Sequence, residues 1–470
     1  MTHDEFTPER FHTLVGERIG DASLRHNVRR ATDTSMKKRA DVIRDYPDWE
    51  ARRDAAAEVK RHVMAHLRHY LELFETQATA AGAVVHYARS GEDARAIVLD
   101  IARRSGARIA VKSKSMTSEE IELGRALAEL GIDSVETDLG EYIVQIAGEP
   151  PSHITAPALH KSRDEIGALF ARVLGIPFTN DPEELTAIAR RVLREKFLGA
   201  DLGISGVNFA VADSGAICIV ENEANARMTT TLPRVHVALM GIEKLVPDMR
   251  SLTLLLSMLA RSATGQRLSC YTNIIRGPRR EGEWDGPDEL HIVVLDNGRS
   301  GLHADPRLRE VLHCIRCGAC MNTCPVYRSI GGHAYGSVYS GPIGSIVTPA
   351  LRGLSHAKDL PYASSLCGAC TDVCPVRIDL HHHLLALRGR AVQSRLGHPL
   401  ERLGMRLFVL GMTSPLLYRI GSALFRFAAP LFGDGEGGLS VPVWSATRRF
   451  PLPAEKSFRQ LWKERTDERA

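Results

Sequence analysis

The sequence predicts an α/β protein with a cysteine-rich helical module and a mostly helical tail behind it. Short apolar runs alternate with helical segments over the first 300 residues, and seven of the nine cysteines crowd between positions 314 and 374. Both patterns suit a chain of 470 residues, for which about three domains are expected. An apolar content of 44% supplies more than one core. Sixty Lys and Arg stand against 56 Asp and Glu, a net charge of +4, which excludes a chain built to coat nucleic acid. The stretch Met1 to Glu9 has no basic-then-apolar leader, so a cytoplasmic location is expected, where thiols stay reduced. The run Leu407 to Tyr418, 12 residues, falls short of the roughly 20 that a spanning helix needs.

Residues 1–58 are polar and rich in Arg and Asp, with a helical stretch from Met36 to Asp45 ending before Pro47; they read as a helical arm. The α/β domain is expected over 59–300. Its helices are Val59 to Ala80, Glu92 to Arg104 and Ser118 to Leu130, the last two followed by Gly106 and Gly131 as stop signals. Its strands are Arg108 to Val111, Tyr142 to Ile146, Ala216 to Val220 and His291 to Leu295. Strand and helix in alternation imply a mainly parallel sheet. Asp296-Asn297-Gly298 marks its closing turn. The cysteine module takes 301–385 and the tail 386–470.

The first cysteine motif, CIRCGACMNTCPVY, runs from Cys314 to Tyr327. Three thiolates at two-residue gaps can grip three corners of a cubane cluster, while the fourth, ahead of a proline, turns to a neighbouring cluster, as in two-cluster ferredoxins. The second motif, CGACTDVCPV, repeats the ending from Cys367 to Val376. By exchange, Cys314, Cys317, Cys320 and Cys374 would hold one [4Fe-4S] cluster, and Cys324, Cys367 and Cys370 a second. Ser364 stands where a complete second motif would carry its first cysteine. Two readings stay open: a fourth ligand other than cysteine (Ser364, a histidine, water or a partner group), or a second cluster short of one iron. Zinc also suits spaced cysteine pairs, but seven thiolates and two Cys-Pro endings favour iron and sulfur. The span of about 40 residues between the motifs leaves room for helices, so the module is expected to be helical.

Other residues carry weaker signals. Arg316 and Arg377, in and just after the motifs, are expected to be solvated, and Cys218 and Cys270 to be small core residues. His381, His382 and His383 face different sides of a helix, which suits solvated or capping roles better than a metal. Polar clusters follow the expected strands: Lys112 and Lys114 ahead of a helix with Thr117 and Glu120 at capping-box spacing, and Glu221, Asn222, Glu223 and Asn225 after the AICIV strand. Ligands bind outside the carboxyl ends of such strands, so these clusters form a candidate pocket. No flavin or nicotinamide motif is found in the sequence. Arg388 to Arg426 carries seven Arg and one Glu among apolar residues; over 388–432 it suits peripheral contact with an anionic membrane, docking on an acidic partner helix, or packing on the cluster module.

The segments VKSKSMTSEEIEL, VETDLGEYIVQIAG, PSHITAPALHKSR and GVNFAVADSGAICIVENEANARMTTTLP, the two cysteine motifs, and the ending FPLPAEKSFRQLW resemble the lactate utilisation protein B family of bacteria. The resemblance implies a LUD domain with a sugar-isomerase and CoA-transferase-like α/β fold, then a helical two-cluster ferredoxin module. It also implies an electron carrier, working with the lactate utilisation A and C proteins in oxidising L-lactate to pyruvate and passing electrons to an acceptor the sequence leaves unnamed. The competing enzyme reading has the α/β domain bind the hydroxy acid or a nucleotide through Lys112, Lys114 and the loop Glu221 to Asn225. A third reading makes the clusters structural parts of a scaffold.

Overall fold

The computed structural model describes residues 7–433, 438–440 and 450–467. Two compact units are present, Met1–Gln393 and Ser394–Ala470. The first holds a six-stranded, fully parallel sheet. Its strands are β1 (Val84–Ala88), β2 (Ile109–Lys112), β3 (Asp133–Glu136), β4 (Leu202–Gly206), β7 (Val235–Gly241) and β10 (Glu289–Leu295), in the order β1-β10-β7-β4-β2-β3. Strand β7, buried along its whole length, pairs in register with both β4 and β10, which makes it the spine of the sheet. A second sheet of four strands is built from β5 (Phe209–Val211), β6 (Ala216–Glu221), β8 (Leu245–Val246) and β9 (Tyr271–Ile275), mixed in direction. Gly203 of β4 lets the helix Asn225–Thr231 lie against the sheet, because a Cβ there would meet the Thr229 carbonyl oxygen at 2.0 Å.

Several expected elements change form. Tyr142 to Ile146, expected as a strand, lies in the helix Leu139–Ala147. A short apolar run suits either state, and the ends decide it: Asp138 caps the Glu141 N–H, and Gly148 closes the helix at φ +70°. The expected helix Val59 to Ala80 breaks at His66 into Trp49–Ala65 and Leu67–Ala80. Ser118 to Leu130 is likewise split, by Glu122 at φ +52°, into Met116–Glu120 and Leu123–Glu129. The cap of the first of these is Ser115, not Thr117, and Glu120 turns away from the helix end to Arg299.

The cysteine module is helical, with Gly341–Arg352 and Leu380–Gln393 as its longest pieces. The N-terminal helices Ala22–Arg44 and Trp49–Ala65 share one apolar core with it: Leu24, Val28 and Trp49 pack in the same cluster as Cys317, Tyr327 and Ile346. Arg299, buried in the helix Arg299–Ala304, fastens module to sheet. It meets Glu120 through two nitrogens at 2.6 and 2.8 Å and Glu243, just past β7, at 2.9 Å. In the second unit the helices Pro399–Thr413 and Pro415–Ala428 bury none of their side chains.

The buried histidines make the fold acid-sensitive. Burial, helped by His291, pushes His236 in β7 down to about 3, and burial helped by His160 does the same to His333. In the unfolded chain both titrate near pH 6.5, so the unfolded state takes up their protons first and stability is lost as the pH falls from about 6.5 toward 3. Denaturant unfolding is expected to give a stability about 2–3 kcal/mol lower at pH 5.5 than at pH 7.5 from these two groups; a profile flat over that range would contradict their buried, neutral state.

Candidate metal centre

Seven cysteines gather on two loops of the same design. In the first, Arg316 (φ +60°) and Gly318 (φ +76°) flank Cys317 in the left-handed region; in the second, Leu366 (φ +56°) and Gly368 (φ +83°) flank Cys367. Each loop then enters a single helical turn, Ala319–Thr323 or Ala369–Asp372. The match extends one step back from Cys367. The Arg316 N–H donates to the Cys314 sulfur at 3.4 Å, and the Leu366 N–H donates to the Ser364 hydroxyl oxygen at 3.1 Å. Ser364 thus holds, in backbone terms, the place that Cys314 holds in the first loop.

The thiols fall into two neighbourhoods. Cys314, Cys317, Cys320 and Cys374 line one small cavity, closed by Ile154, Ile343 and Ile378. Burial pushes the Cys317 thiol up to about 12, with the Cys374 and Cys314 thiols adding to it; Cys374, pushed equally far, feels Cys314 in turn. In the other group Cys324 feels Cys367, and Cys370, raised by burial to about 11, feels both. Cys367 is the exposed member. Backbone amides point at these sulfurs, among them the Ile378 N–H to Cys374 at 3.4 Å. Thiols crowded out of water stay protonated unless cations replace the lost solvation, so this donor set fits iron ions, which ionise and bind sulfur together.

Positive side chains converge on the first group. Arg316, expected to be solvated, has a side chain only 9% exposed; it lies over the Tyr339 ring at 4.5 Å and 3.7 Å from Glu243. The cause is tertiary: Glu243 and Tyr339 arrive from distant parts of the chain. Arg377 stays half exposed, paired with Glu50 and Asp54. Three features escaped the sequence reading altogether. Arg53, buried, donates to the carbonyls of Asp372 (2.7 Å) and Cys374 (2.8 Å), and Arg39 to that of Val373 (3.1 Å). Lys60, pushed down to about 8 by burial, bonds the Glu243 carbonyl at 2.6 Å. Their distance in sequence from the cysteines left no local signal.

A cavity of about 220 Å³ opens at the carboxyl ends of the parallel strands. Lys114, Glu221, Asn222, Glu223 and Asn225, grouped from the sequence, line it. Lys112 does not. Its ammonium is buried between Glu119 (2.6 Å) and Glu136 (2.5 Å), with the Ser118 hydroxyl at 2.8 Å, so its role is structural. Lys114 donates to the Thr155 carbonyl at 3.0 Å, and Glu221 accepts from the Ala226 and Arg227 amides. Lys244 and Arg316, which the sequence did not group with these, complete the wall.

The remaining candidates divide. Cys218 is buried in β6, whereas Cys270, expected in the core, is exposed. His381, His382 and His383 are occupied by Thr371, Asp379 and Glu310.

Comparison with known proteins assigns these regions. Residues 71–295 match the LUD domain, 310–378 the 4Fe-4S dicluster domain, and 381–467 the C-terminal domain of lactate utilisation protein B. Over 98% of both chains the sequence is 43% identical to lactate utilization protein B of Bacillus cereus (strain AH820), and equally so to that of Bacillus thuringiensis (strain Al Hakam). A crystal structure of a DUF162 family protein from Deinococcus radiodurans aligns with 49% of this chain and 98% of its own, at 13% identity and a TM-score of 0.27.

Replacing Lys112 by Met leaves Glu119 and Glu136 facing each other without their cation. The expected cost is about 3–5 kcal/mol of unfolding free energy by denaturant titration; a loss below about 1 kcal/mol would contradict a structural ion pair.

Proposed function

Since the chain belongs to the lactate utilisation protein B family, we propose that it is the electron-relay subunit of a multi-protein system that oxidises L-lactate to pyruvate, acting with that system's A and C proteins. As an iron–sulfur protein of lactate utilisation it carries the 4Fe-4S dicluster domain. The observation that carries the relay reading is the division of seven thiols into two adjacent neighbourhoods on duplicated loops. Iron–sulfur clusters accept and release single electrons, which is the chemistry a relay needs.

The chain's own residues do the rest. Cys314, Cys317, Cys320 and Cys374 form the first ligand set, and Cys324, Cys367 and Cys370 the second, with Ser364 at its fourth corner. Support for Ser364 is the shared amide contact and the matched left-handed residue two positions on. Arg53 and Arg39 hold the carbonyls of the second motif in place, so Cys374 is presented to the first set while its neighbours stay on the second. Burial of Cys317, Cys320 and Cys374 excludes water from the first centre, whereas the exposure of Cys367 offers the second as the point of electron exchange with a partner.

A peripheral site of action at a membrane face belongs to the same proposal. Among the described residues no single helix is long and apolar enough to cross a membrane. Helices Pro399–Thr413 and Pro415–Ala428, bent by 107° at their junction, expose Leu407, Phe408, Leu424 and Phe427 alongside Arg406 and Arg419, with Arg402 and Arg426 half-buried. Apolar residues beside arginines on an uncovered surface suit the headgroup region of anionic lipid.

Two outcomes test these readings. Anaerobically purified protein is expected to hold about eight irons and as many acid-labile sulfides if Ser364 or another group completes the second cluster, and about seven irons if one is missing; electron paramagnetic resonance during a potential titration should resolve two one-electron couples. Ser364→Cys should retain or raise the iron count and alter one signal alone, whereas metal-free wild-type protein, or clusters without redox response, would end the relay reading. Separately, the full chain should sediment with phosphatidylglycerol vesicles and much less with phosphatidylcholine, and deletion of 400–432 should abolish the difference; unchanged sedimentation after deletion would refute the membrane contact.

A further inference from the structure

Away from the cysteine loops, two buried histidines and a glutamate converge. Glu149, His160 and His333 each present one ligand atom, and these three atoms lie within 4.8 Å of one another. His160 has a side chain 8% exposed, and His333 is 6% exposed. The three come from separate parts of the chain. Glu149 follows the helix Leu139–Ala147, His160 lies near the far end of the irregular segment 148–162, and His333 opens the short turn His333–Tyr335 of the cysteine module. None of them lines either cavity described above.

Each histidine is oriented through its other nitrogen. His333 Nε2 lies 2.7 Å from the Pro150 carbonyl, which can only accept, so Nε2 carries the proton and Nδ1 the lone pair. Burial, with His160 beside it, keeps the His333 ring neutral. His160 Nδ1 lies 2.9 Å from the Ser152 hydroxyl, which donates to the Pro157 carbonyl at 3.0 Å. A hydroxyl has one hydrogen, so in this arrangement His160 donates from Nδ1 and turns Nε2 to Glu149 Oε2, 2.8 Å away. Histidines anchored by one N–H on a carbonyl or hydroxyl, with the other nitrogen turned inward, are the outer-shell arrangement of metal sites. Burial would raise the Glu149 carboxyl, but hydrogen bonds from His160 and Lys161 hold it down at about 2, so it stays ionised. Lys161 takes Oε1 at 2.8 Å and leaves Oε2 facing His160. With Lys161 on the single carboxylate and Arg18 near His333, the site lacks the anionic oxygens that calcium or magnesium needs. Two imidazoles and one carboxylate oxygen suit a borderline ion of the zinc class, which takes the place of the proton between His160 Nε2 and Glu149 Oε2.

We propose that Glu149, His160 and His333 bind one divalent ion of the zinc class, with water completing its shell, and that this ion staples the segment 148–162 to the cysteine module. The segment is already clasped from that side. The Tyr327 hydroxyl donates to the Ser152 carbonyl at 2.7 Å, and His153 meets Asn322 at 3.1 Å. Gly332 permits the close approach, since a Cβ there would meet the Ser152 carbonyl oxygen at 1.8 Å. Having no helix or strand of its own, the segment takes its shape from such contacts. An ion bonded near both of its ends and to His333 fixes that shape. No ligand is shared with the seven cysteines, so the proposal stands or falls independently of the relay reading.

The test uses the full chain, anaerobically purified, with iron counted on every sample. After dialysis against zinc and then against buffer, the protein is expected to retain about one zinc per chain beyond its iron, read by plasma mass spectrometry. X-ray absorption at the zinc edge should show nitrogen and oxygen neighbours alone, at about 2.0–2.1 Å. Zinc should raise the melting temperature of the wild type, and His333→Ala and Glu149→Gln should each weaken zinc binding roughly tenfold or more with iron content unchanged. The absorption spectrum needs no variant, so it decides the matter where a substitution disturbs the fold. Zinc with sulfur neighbours at about 2.3 Å would place the ion in the cysteine loops and overturn the proposal. No retained zinc, or binding undiminished in both variants, would overturn it too and leave the three residues a hydrogen-bonded latch.

Discussion

Thiols buried side by side cannot ionise unaided, and this constraint shapes the structure around them. Burial, with the neighbouring thiols adding to it, lifts Cys317 and Cys374 far above the range in which thiolates exist at neutral pH. The chain answers with amides aimed at sulfur and with cations, some brought from well outside the motifs, Arg39 and Arg53 from the N-terminal helices and Lys60 beside β8, and one, Arg316, from the loop itself. The N-terminal helices are therefore not an appendage to the domain they precede. They pack into the apolar core that holds the cysteines.

Coupling between the α/β domain and the cysteine module follows from the same need. Glu243 sits just beyond β7, and Arg299 just beyond β10, both at strand ends where a parallel sheet places its functional residues. Burial would raise the Glu243 carboxyl, but Arg299, Lys244 and Arg316 pull it down to about 2, so it stays ionised and fixes the first cysteine loop against the sheet. A pocket and a candidate redox centre thereby come to share residues, which neither part achieves alone.

The duplicated cysteine motifs were legible in the sequence because their spacing is local, and the parallel sheet because strand and helix alternate. Ser364 was legible for the same reason, as the gap in a repeat, and the structure adds that its loop keeps the backbone form of the complete one. Elements whose identity depends on their ends or surroundings were not. The run from Tyr142 to Ile146 reads as strand until Asp138 and Gly148 are recognised as caps. Arg316 reads as solvated because Glu243 and Tyr339 are remote in sequence. Lys112 and Lys114, two residues apart, look alike on the page, yet one is sealed between two carboxylates and the other lines a cavity. Lys112 is the last residue of β2 and keeps its inward face, whereas Lys114 lies past the strand's end, where strand alternation no longer fixes its direction and only the packed neighbours do.

The crossed sharing of ligands between the two motifs is the claim most directly open to measurement. Electron paramagnetic resonance of anaerobically reduced Cys374→Ala protein is expected to lack or alter the signal of the cluster on Cys314, Cys317 and Cys320, while the signal of the cluster on Cys324, Cys367 and Cys370 persists. Loss of the latter with the former intact would mean that each motif serves its own cluster, contradicting the account.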